Sequence, residues 1–121
     1  MTLHPEHPAL VEVHVSVPDA ESARRIASDV VVRQLAACVQ ILGPMVSIYT
    51  WKGEVRESQE WLLLIKSTNL AFEHVAEVVR ENHRYDVPEV IAVPITHALG
   101  DYAEWVRKHS DGIDDDELLE P

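Results

Sequence analysis

His83 and Glu89 are the side chains whose types and spacing best suit chemistry. Both lie in the run His83-Arg84-Tyr85-Asp86-Val87-Pro88-Glu89. An imidazole and a carboxylate are both suitable ligands for a borderline divalent ion, and Pro88 stiffens the loop that joins them, which lowers the ordering cost. Two ligands make only a weak site, so Asp86 or Glu60 of a neighbouring chain would have to complete it. The simpler role for the pair is to hydrogen-bond backbone groups and fix the loop, because buried polar groups normally have partners. A third role makes His83 a general base oriented by Glu89. Glu60 and Lys66 bracket the run Trp61-Leu62-Leu63-Leu64-Ile65. Lys66, with Arg84, would suit a small anionic ligand, although a lysine at a strand end is commonly an ion-paired one. Trp51, Tyr85 and Tyr102, together with Tyr49, can wall a ligand cleft, or serve as interface packing with a satisfied polar tip. Cys38 has no adjacent base and sits in Leu35-Ala36-Ala37-Cys38-Val39, which reads as strand core, where a thiol behaves as a small hydrophobe. His4 and His7 in the leader, and the acidic tail for hard cations, are weak candidates for metal. No catalytic residue is assigned.

The frame for these groups is organised around Leu35 to Thr68. From Met45 to Trp51 the residues alternate in the period-2 pattern of a strand. Lys52-Gly53 then reverses the chain, with Gly53 supplying the positive φ of a two-residue hairpin turn. The return limb ends in Trp61 to Ile65, apolar at every position, which predicts a strand covered on both faces. Ala9 to Val17 alternates as a first strand, and Asp19 caps a helix that runs to about Gln34 with Ala23, Ile26, Val30 and Val31 on its inner stripe. Thr68-Asn69 offers caps for a second helix with Phe72, Val75, Ala76 and Val79 inward. Val90 to Ile95 is a strand that Pro94 consigns to an edge. Asp101 caps a last short helix carrying Tyr102, Trp105 and Val106.

The order β-α-β-β-α-β-α places two βαβ-like halves around a central hairpin, the split βαβ or ferredoxin-like arrangement of an α+β domain. Helices on one face leave the other bare, and a bare face of large apolar residues predicts homo-oligomerisation. The domain spans residues 9–110, between a loosely ordered leader at 1–8 and an acidic, disordered tail at 111–121. With 121 residues and 46% apolar content there is room for one core. Net charge is −11; the last eleven residues hold six acids, which leaves −5 for residues 1–110. An acidic chain without a basic cluster suits neither nucleic acid nor an anionic membrane. One cysteine excludes an internal disulfide. No signal peptide and no run of about 18 apolar residues is present, so a cytoplasmic location is expected.

Three longer stretches go further: RRIASDVVVRQLAACVQIL, SIYTWKGEVRESQEWLLLIKST, and HRYDVPEVIAVPI followed by DYAEWV. In this order and spacing they resemble the CutA family of divalent-cation tolerance proteins, over about Val13 to Arg107. The resemblance implies a ferredoxin-like subunit in a homotrimer, with long ribbons pairing between subunits and ligand sites in the clefts between them. It further implies a cytoplasmic, non-enzymatic role in metal tolerance with copper as the usual ion. The rival role is a trimeric regulatory module that binds a small anionic metabolite in those clefts. Three positions depart from the family pattern: Arg84 where Pro follows the loop histidine, Gln40 where Asn is usual, and Val15 where some members carry a cysteine proposed as a copper ligand.

Overall fold

In the computed structural model, which describes residues 8–113, the first strand, β1, is Leu10–Val17. Val13, Val15 and Val17 are fully buried, while Glu12 and His14 are half-buried on the opposite pleat. Asp19 ends the strand and caps α1 (Ala20–Val32), its Oδ1 accepting the Ser22 N–H at 2.7 Å. That amide holds the Asp19 carboxyl below its ordinary range. Strands β2 (Cys38–Trp51) and β3 (Glu54–Thr68) form the long hairpin. Lys52 and Gly53 both have positive φ, 52° and 78°, the pairing whose twist matches flanking strands. The chain continues as α2 (Phe72–Asn82), β4 (Val90–Pro94) and α3 (Gly100–Lys108). Among the described residues no helix is long and apolar enough to cross a membrane.

The four strands make one antiparallel sheet in the order β2-β3-β1-β4. β4, with Pro94, lies at the edge as expected. Under α1 and α2 the core joins Val13, Val15, Leu63 and Ile65 to Ile26, Val30, Val75 and Val79. Leu10, on the other pleat from Val11, packs with Ala103 and Val106 of α3. The open face is therefore not bare throughout: α3 covers one end of it.

Several expectations need correction. β2 begins at Cys38, because the strand passes through Gly43-Pro44 by a register shift between Leu42 and Met45. Gly43 (φ 158°) is required there, since a Cβ would come within 2.5 Å of the Trp61 ring. Within one chain the helices cover one face of the apolar run of β3; Leu63 and Ile65 are buried there, while Leu62 and Leu64 on the other pleat are half-buried. Val31 is exposed and Val78 buried, so the inner stripes of α1 and α2 are each shifted by one side chain from the expected ones. Asp101 lies in the first turn of α3, whose cap position is Leu99. Pro8, assigned to the leader, is buried and its carbonyl accepts from Arg107 Nε at 3.0 Å. Gly112, assigned to the tail, donates its N–H to Gln34 O at 2.9 Å, and Ile113 packs against the core. The rest of the proposed leader and tail lies outside the described residues.

Candidate functional site

On the face opposite α1 and α2, the outer part of the hairpin, the end of β1 and loop 83–89 enclose a cleft of about 670 Å³. The pleat explains its lining. Ser47, Tyr49 and Trp51 alternate along β2 and pair with Ser58, Arg56 and Glu54 of β3, which puts them on the same face as Glu60 two pairs further in. Tyr49, Trp51 and Tyr85 are its aromatic walls, and Glu60, Asp86 and Glu89 its carboxylates. Glu60 is only 6% exposed. The Tyr85 hydroxyl donates to Glu60 Oε2 at 2.9 Å. Burial, then the Glu60 hydrogen bond and charge, push the Tyr85 hydroxyl up to about 12, so it stays a neutral donor. Glu89 Oε1 accepts a long 3.5 Å bond from Ser16 Oγ. Two arginines reach the rim, but each has a partner: Arg84 with Asp19 at 2.8 Å and Arg56 with Glu54 at 3.4 Å.

Of the candidates read from sequence, Trp51, Glu60, Tyr85 and Glu89 line this cleft. His83 is committed to the loop itself. Its Nδ1 accepts the Tyr85 N–H at 3.2 Å, so Nε2 carries the hydrogen and donates to Ser16 O at 2.7 Å. The ring also packs against Tyr85, 4.6 Å between centroids. Both nitrogens that a metal or a proton would need are thus in use. Among the described residues no group of three or more His, Cys, Asp and Glu is placed to hold a metal ion.

Lys66 and Tyr102 do not reach the cleft. Lys66 lies six steps along the strand from Glu60, roughly 20 Å at about 3.3 Å per residue. Lys66 Nζ instead pairs with Glu12 at 3.1 Å and donates to Gln40 at 2.9 Å. Glu12 also accepts from His14 at 2.7 Å, and this bond, with the Lys66 charge, holds its carboxyl low against the opposing effect of burial. Tyr102 of α3 places its hydroxyl 4.0 Å from Cys38 Sγ; burial and the thiol beside it raise the phenol. Cys38 is accordingly half-buried at the start of β2 beneath α3, not in the core as its neighbours suggested. Ser16, Ser47 and Arg56 were missed as cleft residues. Ser47 was readable, because it shares a pleat with Tyr49 and Trp51.

Fold and cleft together define a small α+β domain whose long hairpin extends beyond its core and, with loop 83–89, walls a cleft. The sequence profile described as CutA1 divalent ion tolerance protein matches residues 11–109. The divalent-cation tolerance protein CutA of Thermus thermophilus is 46% identical over 98 residues, which cover 81% of this chain and 95% of that one. The chloroplastic protein CutA of Arabidopsis thaliana is 44% identical over 100 residues, 83% of this chain and 54% of that one, so the chain spans about half the length of that relative. The crystal structure of CutA1 from Oryza sativa superposes with a TM-score of 0.83 at 38% identity, covering 86% of this chain and 95% of that chain. The chain belongs to the CutA1 divalent ion tolerance protein family.

Proposed function

We propose that the protein is a non-enzymatic, homotrimeric divalent-cation tolerance protein of the cytoplasm, built on a ferredoxin-like subunit. The strand order β2-β3-β1-β4 supports the subunit reading, because β3 is inserted between β1 and β2 and β1 between β3 and β4. The observation that carries the assembly is the uncovered apolar surface. On the sheet, Ile91 is 51% and Leu42 49% exposed, and along the outer hairpin Val46, Ile48 and Val55 are exposed as well. Surface of this kind marks an association site, and three copies around one axis would close it.

The family's name supports a role towards divalent cations. Among the described residues of one chain, no donor set fits a resident copper ion. The position where some relatives of this type carry cysteine is Val15, sealed in the core, and the donors facing the cleft are oxygens, which suit hard cations better than copper. His83 would have to release the Ser16 carbonyl or the Tyr85 amide before it ligated anything. A weakly held divalent cation would therefore rest on Glu89, Glu60 and Asp86, completed by another copy. The anionic-metabolite alternative is not favoured, because Lys66 and Arg84 lie apart and each is already paired. Sedimentation velocity at low micromolar concentration tests the assembly: one species of three times the chain mass is expected. A well-folded single chain would overturn the reading.

A further inference from the structure

We propose that the cleft is a binding site for a small organic ammonium ion, with Glu60 as counter-charge and Tyr49, Trp51 and Tyr85 as its ring faces. Glu60 is buried, yet among the described residues its one partner is the Tyr85 hydroxyl on Oε2. A carboxylate accepts about four hydrogen bonds, and a buried one normally has a cation beside it. No such cation is supplied among the described residues: Arg84 and Arg56, the two that reach the cleft, are drawn off by Asp19 and Glu54. Asp86 and Glu89 add further negative potential at the mouth. The walls are of matching chemistry, since aromatic faces attract alkylammonium groups. Trp51 already draws one, with Lys52 Nζ 6.0 Å from its ring centroid. The volume, about 670 Å³, lies within the range of small-molecule sites, roughly 300–1,000 Å³.

A hard metal ion would use only the oxygens, whereas an ammonium ion uses oxygens and rings together, and the two are separable. The test is calorimetric titration of the full-length protein with 1,4-diaminobutane, with tetramethylammonium and with Mn(II), in wild type, Glu60→Gln, Trp51→Leu and Tyr49→Leu, each checked for an unchanged unfolding midpoint. Amine binding that weakens at least tenfold in Glu60→Gln and in both ring variants is the expected result. No heat with either amine, or amine affinity indifferent to the ring variants, overturns the proposal. Mn(II) binding that is lost in Glu60→Gln, untouched by Trp51→Leu and unaccompanied by amine binding also overturns it, and leaves the metal reading standing. Amine binding without Mn(II) binding does the reverse. If Glu60→Gln does not fold, the two ring variants alone decide.

Discussion

The two faces of the single sheet are built from the same strands and differ in almost every other respect. Under α1 and α2, Val13, Val15, Leu63 and Ile65 are sealed from solvent. One residue along each strand, on the other pleat, stand His14, Leu62, Leu64 and Ile91, half-buried or exposed, and among them the bonded group Glu12, His14, Lys66 and Gln40. Beneath the helices the first face is mostly aliphatic, with Trp61 at its margin, and that part is complete within the chain, whereas its continuation along the outer hairpin leaves Val46, Ile48 and Val55 exposed. The second mixes apolar surface, ion pairs and a carboxylate-lined cleft, with α3 over one end of it and loop 83–89 beside the cleft. The covered face accounts for the fold, and the open face carries the cleft.

The largest test of this contrast uses two adjacent leucines. Leu63→Ala leaves a cavity beneath the helices and is expected to lower unfolding free energy by about 2–5 kcal/mol, read from urea unfolding. Leu64→Ala removes a side chain already half in water, so for the isolated chain about 1 kcal/mol or less is expected from the area lost. Equal losses at every protein concentration would break the contrast. A Leu64→Ala loss that grows with protein concentration would sharpen it, because association is coupled to stability by mass action.

The next effect concerns the charged group on the open face. Glu12→Gln removes the partner of Lys66 and of His14. A loss of about 1 kcal/mol at neutral pH is expected, reduced by solvent screening at this partly exposed site. Glu12 titrates below its ordinary value of 4.5 in the folded protein. Its contribution is therefore present above that pH and lost as pH falls through the lower folded value. Wild type and variant should converge in acid, and a gap that persists undiminished to pH 2 would show that Glu12 does not titrate low.

The covered face was largely legible in the sequence, and the open one was not. Val13, Val15 and Val17 repeat every second residue, Gly53 marks the hairpin turn, and Asp19 after Pro18 marks the first helix; each is a local signal. The first part of β2 is hidden in the sequence because Gly43-Pro44 interrupts its alternation, and the Trp61 ring that makes Gly43 necessary comes from the facing strand. Trp51, Glu60, Tyr85 and Glu89 do converge, since the hairpin register and the short loop leave them few alternatives. Lys66 and Tyr102 do not, because neighbours of a strand in sequence still lie far along its axis. The occupation of His83 by Ser16 O, 67 positions away, has no local trace at all.

The smallest effect is also the most specific to the cleft. In the folded protein the Tyr85 hydroxyl holds its proton to about pH 12, against an ordinary value of 10.0, because burial and Glu60 both oppose a phenolate there. The folded form thus binds this proton more tightly than the unfolded chain does. Stability from this group is fully present below pH 10 and is lost as pH rises towards about 12. Tyr85→Phe should flatten that alkaline limb, and it should remove the latest-titrating component of the phenolate absorbance. The ring remains to wall the cleft, but Glu60 loses its donor. If Tyr85 instead titrated near 10, the Glu60 carboxylate would not be paired with it as described, and the open face would lose this polar contact between loop 83–89 and β3.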